Sequence, residues 1–87
     1  MSATSKVVLI TGASSGMGKA AALLFAVRGH RVYAAARRID SMQDELAPKG
    51  IVPVAVDVTK PDDNQRVVDQ IIDADGRIDV LINNAGF

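Results

Sequence analysis

Two hydrophobic periods alternate along this chain. Residues 7–10 are apolar without a break and end on a Thr–Gly step, the pattern of a parallel strand buried on both faces. A glycine-rich turn over residues 12–18 leads into a predicted helix over 19–28. Met17, Ala20, Ala21, Leu24 and Val27 recur at helical spacing as its apolar face, and Gly29 stands where the helix should end. Residues 31–36 predict a second strand. Asp40 predicts the cap of a short helix reaching about residue 47, before Pro48 and Gly50 break it. Residues 51–56 predict a third strand; Pro53 has no N–H to give a ladder, which assigns this strand to a sheet edge. Thr59-Lys60-Pro61-Asp62 reads as a helix entry capped by Thr59, and Val67, Val68, Ile71, Ile72 and Asp75 mark one face of a helix ending at Gly76. A fourth strand over 79–82 runs into Asn83-Asn84-Ala85-Gly86.

The order β-α-β-α-β-α-β implies an α/β fold, a parallel sheet with helices on its faces. Right-handed crossovers and the edge position of the third strand favour the spatial order 3-2-1-4. The first and fourth strands then lie side by side at the switch point of a doubly wound sheet, where ligands bind at the strand C-termini.

The turn Thr11-Gly12-Ala13-Ser14-Ser15-Gly16-Met17-Gly18 joins the first strand to the first helix. Free N–H groups at a helix N-terminus, together with the helix dipole, favour an anion, so this turn is a candidate phosphate site. Gly12 permits the sharp exit from the strand, Gly16 lets the backbone approach a phosphate, and Gly18 lets the helix pack closely. The same residues contain Gly12-Ala13-Ser14-Ser15-Gly16, which matches the G-x-S-x-G elbow of serine hydrolases. That alternative needs a histidine and an acid at the same end of the sheet. The one histidine, His30, opens the second strand at the opposite end and reads as a solvated loop residue.

Composition narrows the class further. Ten basic residues balance ten acidic ones, without the basic excess of a charge-driven nucleic-acid binder. There is no cysteine for a disulfide scaffold or a thiolate zinc site. No apolar run reaches the ~18 residues of a membrane span. Residues 1–6 lack the charged and apolar regions of a signal peptide, so the cytoplasm is the expected compartment. A chain of 87 residues buries only about 60% of its unfolded surface, which makes it marginal as a free-standing domain.

Thr11-Gly12-x-x-x-Gly16-x-Gly18 after the first strand, Asp57-Val58 after the third and Asn83-Asn84-Ala85-Gly86 after the fourth together resemble the classical short-chain dehydrogenase/reductase family. The resemblance covers essentially the whole chain. It implies a Rossmann-type sheet and a nicotinamide dinucleotide cofactor. The turn residues Gly12, Ser14, Ser15, Gly16, Met17 and Gly18 would hold its pyrophosphate. Asp57 would accept a hydrogen bond from the adenine amino group, and the Val58 backbone would touch the ring. Asn84, Ala85 and Gly86 would line the adenosine ribose and the floor of the site, and the Thr11 hydroxyl would tie the first strand to them. Asp57 and Asn83-Asn84 also admit a plain reading as turn residues.

The end of the second strand bears on the choice of cofactor. An acid there would bind the adenosine ribose 2′-OH and repel a 2′-phosphate. This chain has Ala36, Arg37 and Arg38, with no acid before Asp40. A guanidinium grips a phosphate in bidentate fashion. NADP(H) is therefore expected rather than NAD, with Arg37 as the main contact and Arg38 as a helper, against the alternative of two solvated arginines. Ser15 stands where many NADP-using relatives carry a basic residue.

The family's catalytic Tyr-x-x-x-Lys pair, with its serine and helix asparagine, has no counterpart in residues 1–87: Tyr33 is the only tyrosine, and Arg37 stands four residues after it. No catalytic residue is assigned. Ser14 and Ser15 belong to the turn, and no metal site is expected. The expectation is the N-terminal, cofactor-binding half of a longer NADP(H)-dependent oxidoreductase acting on a carbonyl or alcohol, a homo-oligomer at full length, with neither nucleic acid nor membrane as partner. The alternative is a non-catalytic dinucleotide-binding module or sensor. A flavin-type site would want G-x-G-x-x-G and an acid ending the second strand, and both are absent.

Overall fold

The computed structural model describes residues 5–13, 16–57 and 59–83. Four strands, β1 (Val7–Thr11), β2 (Arg31–Ala36), β3 (Val52–Ala55) and β4 (Val80–Asn83), form one sheet in the order β3-β2-β1-β4. All three pairings are parallel, with Leu9 opposite both Tyr33 and Leu81. This is the order the sequence implies. Pro53 lies on the outer strand β3, opposite Ala34, where a missing donor disturbs the sheet least.

Three α-helices connect the strands: α1 (Gly16–Val27), α2 (Asp40–Leu46) and α3 (Pro61–Asp75). A single 3-10 turn, Ala47–Lys49, follows α2. Strand alternation sends Val8, Ile10, Val32, Ala34 and Ala36 to the face covered by α1 and α2, where they meet Ala22, Leu46 and Ile51. Val7, Leu9, Tyr33 and Ala35 point the other way, toward Val67 and Ile71 of α3. The crossover from β3 through α3 to β4 thus changes face, and the switch point falls between β1 and β4.

The packing of α1 corrects the expected face. Met17, Leu24 and Val27 are 81%, 53% and 85% exposed. The residues that α1 buries are Gly18 and Ala22, flanked by the partly buried Ala21, Leu23, Phe25 and Ala26. A helix that is apolar nearly all round offers several stripes of equal period. The stripe with the smallest side chains wins because it lets the helix axis come closest to the strands. The helix also starts at Gly16, ahead of the expected Lys19, so the end of the glycine turn is itself its first turn.

Two expected caps are corrected as well. Asp40 is the first residue of α2, whose cap position is Ile39; there its charge still suits the positive end of the helix. The cap position of α3 is Lys60, not Thr59, and Pro61 occupies the first turn as expected. On α3, Val67 and Ile71 are buried, Val68 is half-buried and Ile72 is 43% exposed. Gly29, Gly50 and Gly76 all take positive φ at the ends of helical segments, as a left-handed terminator requires.

The N-terminal end of the sheet is fastened by polar contacts. Asp79 accepts the Val7 N–H at 2.8 Å and an Arg77 Nε bond at 2.8 Å, which joins β4 to β1. His30 is half-buried rather than simply solvated: its Nδ1 accepts the Lys6 N–H at 3.0 Å and its ring meets Phe25 edge to face. Tyr33, packed against α3, donates its hydroxyl to Asp75, which also receives Arg31 Nε at 3.1 Å. The Tyr33 bond, aided by Arg31, holds the Asp75 carboxyl below the usual carboxylate range. Its contribution to stability is therefore present above about pH 4 and is lost as the pH falls through the lowered folded value. Tyr33→Phe is expected to cost about 1–2 kcal/mol at pH 7. In melts from pH 7 to pH 2, the gap between wild type and variant should close below about pH 4; a gap that stays constant would show that Asp75 is not its source.

Candidate functional site

The C-terminal ends of the four strands form a row with β1 and β4 at its centre. At the end of β1 the chain turns through Gly12, with φ 65°, and the Ala13 N–H donates to the Ala35 carbonyl at 3.2 Å, which pins the turn to β2. The turn then enters α1 at Gly16, with φ 61°. A side chain at that φ costs about 1–2 kcal/mol, so glycine is the natural occupant. Nothing lies within 4 Å of where a Cβ would sit on Gly16, so the chain at Gly16 borders open space. Met17 beside it is 81% exposed, and Gly18 is buried.

Beyond β2, Arg37 and Arg38 are exposed. The neighbouring strand end is close, since the Val56 N–H donates to the Ala36 carbonyl at 2.9 Å. Asp57 follows and is half-buried. Its Oδ1 accepts the Thr59 hydroxyl at 2.6 Å and the Thr59 N–H at 3.0 Å. Its own N–H donates to Asp63 Oδ2 of α3 at 2.9 Å. These Thr59 bonds, and after them the attraction of Arg37, hold the Asp57 carboxyl below its ordinary value. Asp57 is thus an ionised acceptor with Arg37 as its electrostatic neighbour. Arg66, one turn further along α3, donates to the Ala55 carbonyl at 2.8 Å and lies 3.6 Å from Asp63, which straps the end of β3 to the helix.

At the centre of the row the Thr11 hydroxyl donates to Asn83 Oδ1 at 2.9 Å, tying β1 to the end of β4. On the α3 side of these strands lies a pocket of about 350 Å³. Its floor is Leu9, Ala35, Val56, Val67 and Leu81, and Thr11, Asn64 and Asn83 supply polar atoms.

The fold therefore brings Gly12, Gly16, Met17, Gly18, Arg37, Arg38 and Asp57 to one end of the sheet. Ser14, Ser15, Val58, Asn84, Ala85 and Gly86 lie outside the described residues. Sequence reasoning missed the support that Thr59, Asp63 and Arg66 give to Asp57. The Asp-x-Thr spacing of an Asx turn was the available signal for the first of them. Among the described residues, no group of three or more His, Cys, Asp or Glu is placed to hold a metal ion. No described helix is long and apolar enough to cross a membrane.

A parallel sheet in the order 3-2-1-4, with helices on both faces and a glycine turn opening the first of them, defines a Rossmann-type unit. The chain belongs to the short-chain dehydrogenase family, whose sequence model matches residues 6–87. It is 47% identical over 87 residues to 11-beta-hydroxysteroid dehydrogenase 1A of Arabidopsis thaliana, covering 93% of this chain and 25% of that protein. A short-chain dehydrogenase from Streptomyces avermitilis superposes with a TM-score of 0.90 at 40% identity, over 99% of this chain and 32% of that one. L-sorbose reductase from Gluconobacter frateurii, solved with NADPH and L-sorbose, superposes with a TM-score of 0.86 at 37% identity, over 95% and 34%. The chain thus spans about a quarter to a third of the length of these relatives.

Proposed function

We propose that this chain is the adenosine-phosphate half of an NADP(H) site, in an oxidoreductase that interconverts a carbonyl compound and an alcohol. One observation carries the choice of cofactor: the residue that follows β2 is the exposed Arg37, in a stretch without an acid until Asp40. An acid in that place would repel a 2′-phosphate, whereas a guanidinium binds one through two charge-assisted bonds. The L-sorbose reductase solved with NADPH shares 37% of its aligned residues with this chain, which supports the same reading.

The residues present fit such a cofactor. The start of α1 at Gly16 offers backbone N–H groups and the positive end of the helix to a pyrophosphate, and the open space at Gly16 lets it approach. Asp57, kept ionised by Thr59, accepts a hydrogen bond from the adenine amino group. When bound, such a cofactor would supply hydride-transfer chemistry at the substrate carbon. The residues of this chain hold the opposite end of the cofactor and take no part in proton transfer. The test is a titration of the purified protein with NADPH and with NADH. NADPH is expected to bind about tenfold more tightly, the worth of one charge-assisted phosphate contact. Equal affinities would overturn the assignment.

A further inference from the structure

The Asp57 carboxylate does not stand alone at the strand end. We propose that Thr59 is a positioning residue for adenine recognition: its hydroxyl and its N–H both bind Oδ1 of Asp57, fixing the carboxylate and leaving Oδ2 as the acceptor for the adenine amino group. The proposal rests on the reading above, in which Asp57 is the adenine contact.

A carboxylate on an open strand end has two free torsions and an ordering entropy to lose on binding. Here both are constrained before any ligand arrives. The Thr59 hydroxyl at 2.6 Å and N–H at 3.0 Å converge on one oxygen. The backbone of Asp57 is held separately through its N–H to Asp63 at 2.9 Å. Asp63 is in turn held to the strap at the end of β3 by Arg66, whose guanidinium bonds the Ala55 carbonyl. Thr59 itself is exposed and packs into neither apolar cluster, so its side chain does little for the core. Pre-organisation of this kind adds selectivity for the ligand group it serves and little general stability.

The experiment compares two small probes, adenosine 2′,5′-bisphosphate and its purine riboside analogue, in which a hydrogen replaces the adenine amino group. They share every phosphate and the N1 acceptor, and differ in the one donor that Asp57 would accept. Calorimetric titration of wild type is expected to favour the adenosine compound by about tenfold. Thr59→Val should reduce that preference to less than about threefold with its melting temperature nearly unchanged, while Thr59→Ser, which keeps the hydroxyl, should retain it. Should Thr59→Val not fold, Thr59→Ala removes the same hydroxyl without branched bulk. A full preference in the hydroxyl-free variant, or equal weakening of both probes with the ratio intact, would overturn the positioning role. Asp57→Ala separates the role of Thr59 from that of Asp57. If it abolishes the preference while the hydroxyl-free variant keeps it, only the Thr59 proposal falls. If wild type shows no preference, the adenine reading of Asp57 falls and the proposal with it.

Discussion

Replacing Arg37 with alanine is expected to weaken NADPH binding about tenfold or more and to leave NADH binding essentially unchanged. A bidentate guanidinium–phosphate contact is worth about 1.5–3 kcal/mol. Arg37 is exposed, so the lower end of that range applies and the effect should shrink at high salt. NADH is the internal control, because in the proposed site it would present the same pyrophosphate and adenine to the glycine turn and Asp57. Fluorescence titration of both cofactors against wild type and variant reads the difference directly. Equal loss for the two would place Arg37 in a role common to both dinucleotides and remove the 2′-phosphate assignment.

The second large effect concerns α3. Only Val67 and Ile71 of this helix are buried, and Ile71 is fully so. Ile71→Ala should therefore cost about 3 kcal/mol, from lost burial and the cavity left against the sheet. In a domain of this size that lowers the melting temperature by more than about 10 °C. The helix also carries Asp63 and Arg66, which hold Asp57 and the end of β3, so cofactor affinity should fall along with stability. Circular dichroism melts and the NADPH titration on one preparation check both. A melting temperature within a few degrees of wild type would show that α3 is held mainly by its polar contacts.

Strands β1 and β2 are legible in the sequence because strands with both faces covered have few places for polar residues: Val7 to Ile10 are all buried, and so are Val32 to Ala36. Pro53 assigns β3 to the edge through the chemistry of a missing donor, and the strand order follows from that. The orientation of α1 is not legible. Met17, Leu24 and Val27 have the right period, but so do Gly18 and Ala22. Period alone cannot say that close approach outweighs side-chain area. The role of Thr59 is hidden for a related reason. Its hydroxyl has two possible partners nearby, and the capping rule weighs only the helix ahead of it. The Asp57 carboxylate two residues behind it forms the shorter loop. At the candidate site, the glycines, Arg37 and Asp57 are readable as chemistry at strand ends. The strap through Asp63 and Arg66 depends on where α3 sits over the end of β3, a tertiary fact with no local signature.

The face of α1 that meets the sheet has one further consequence. A dinucleotide is a molecule of fixed span, and in the proposed site its two phosphate anchors would stand on different layers: the pyrophosphate at the mouth of α1, the 2′-phosphate at the tip of β2. The gap between those layers is set where α1 packs on the sheet, and the two residues that the helix buries are small: Gly18 has no side chain and Ala22 a single methyl. The gauge that a dinucleotide in the proposed site would have to match is therefore cut inside the protein, by the packing of two of its smallest residues.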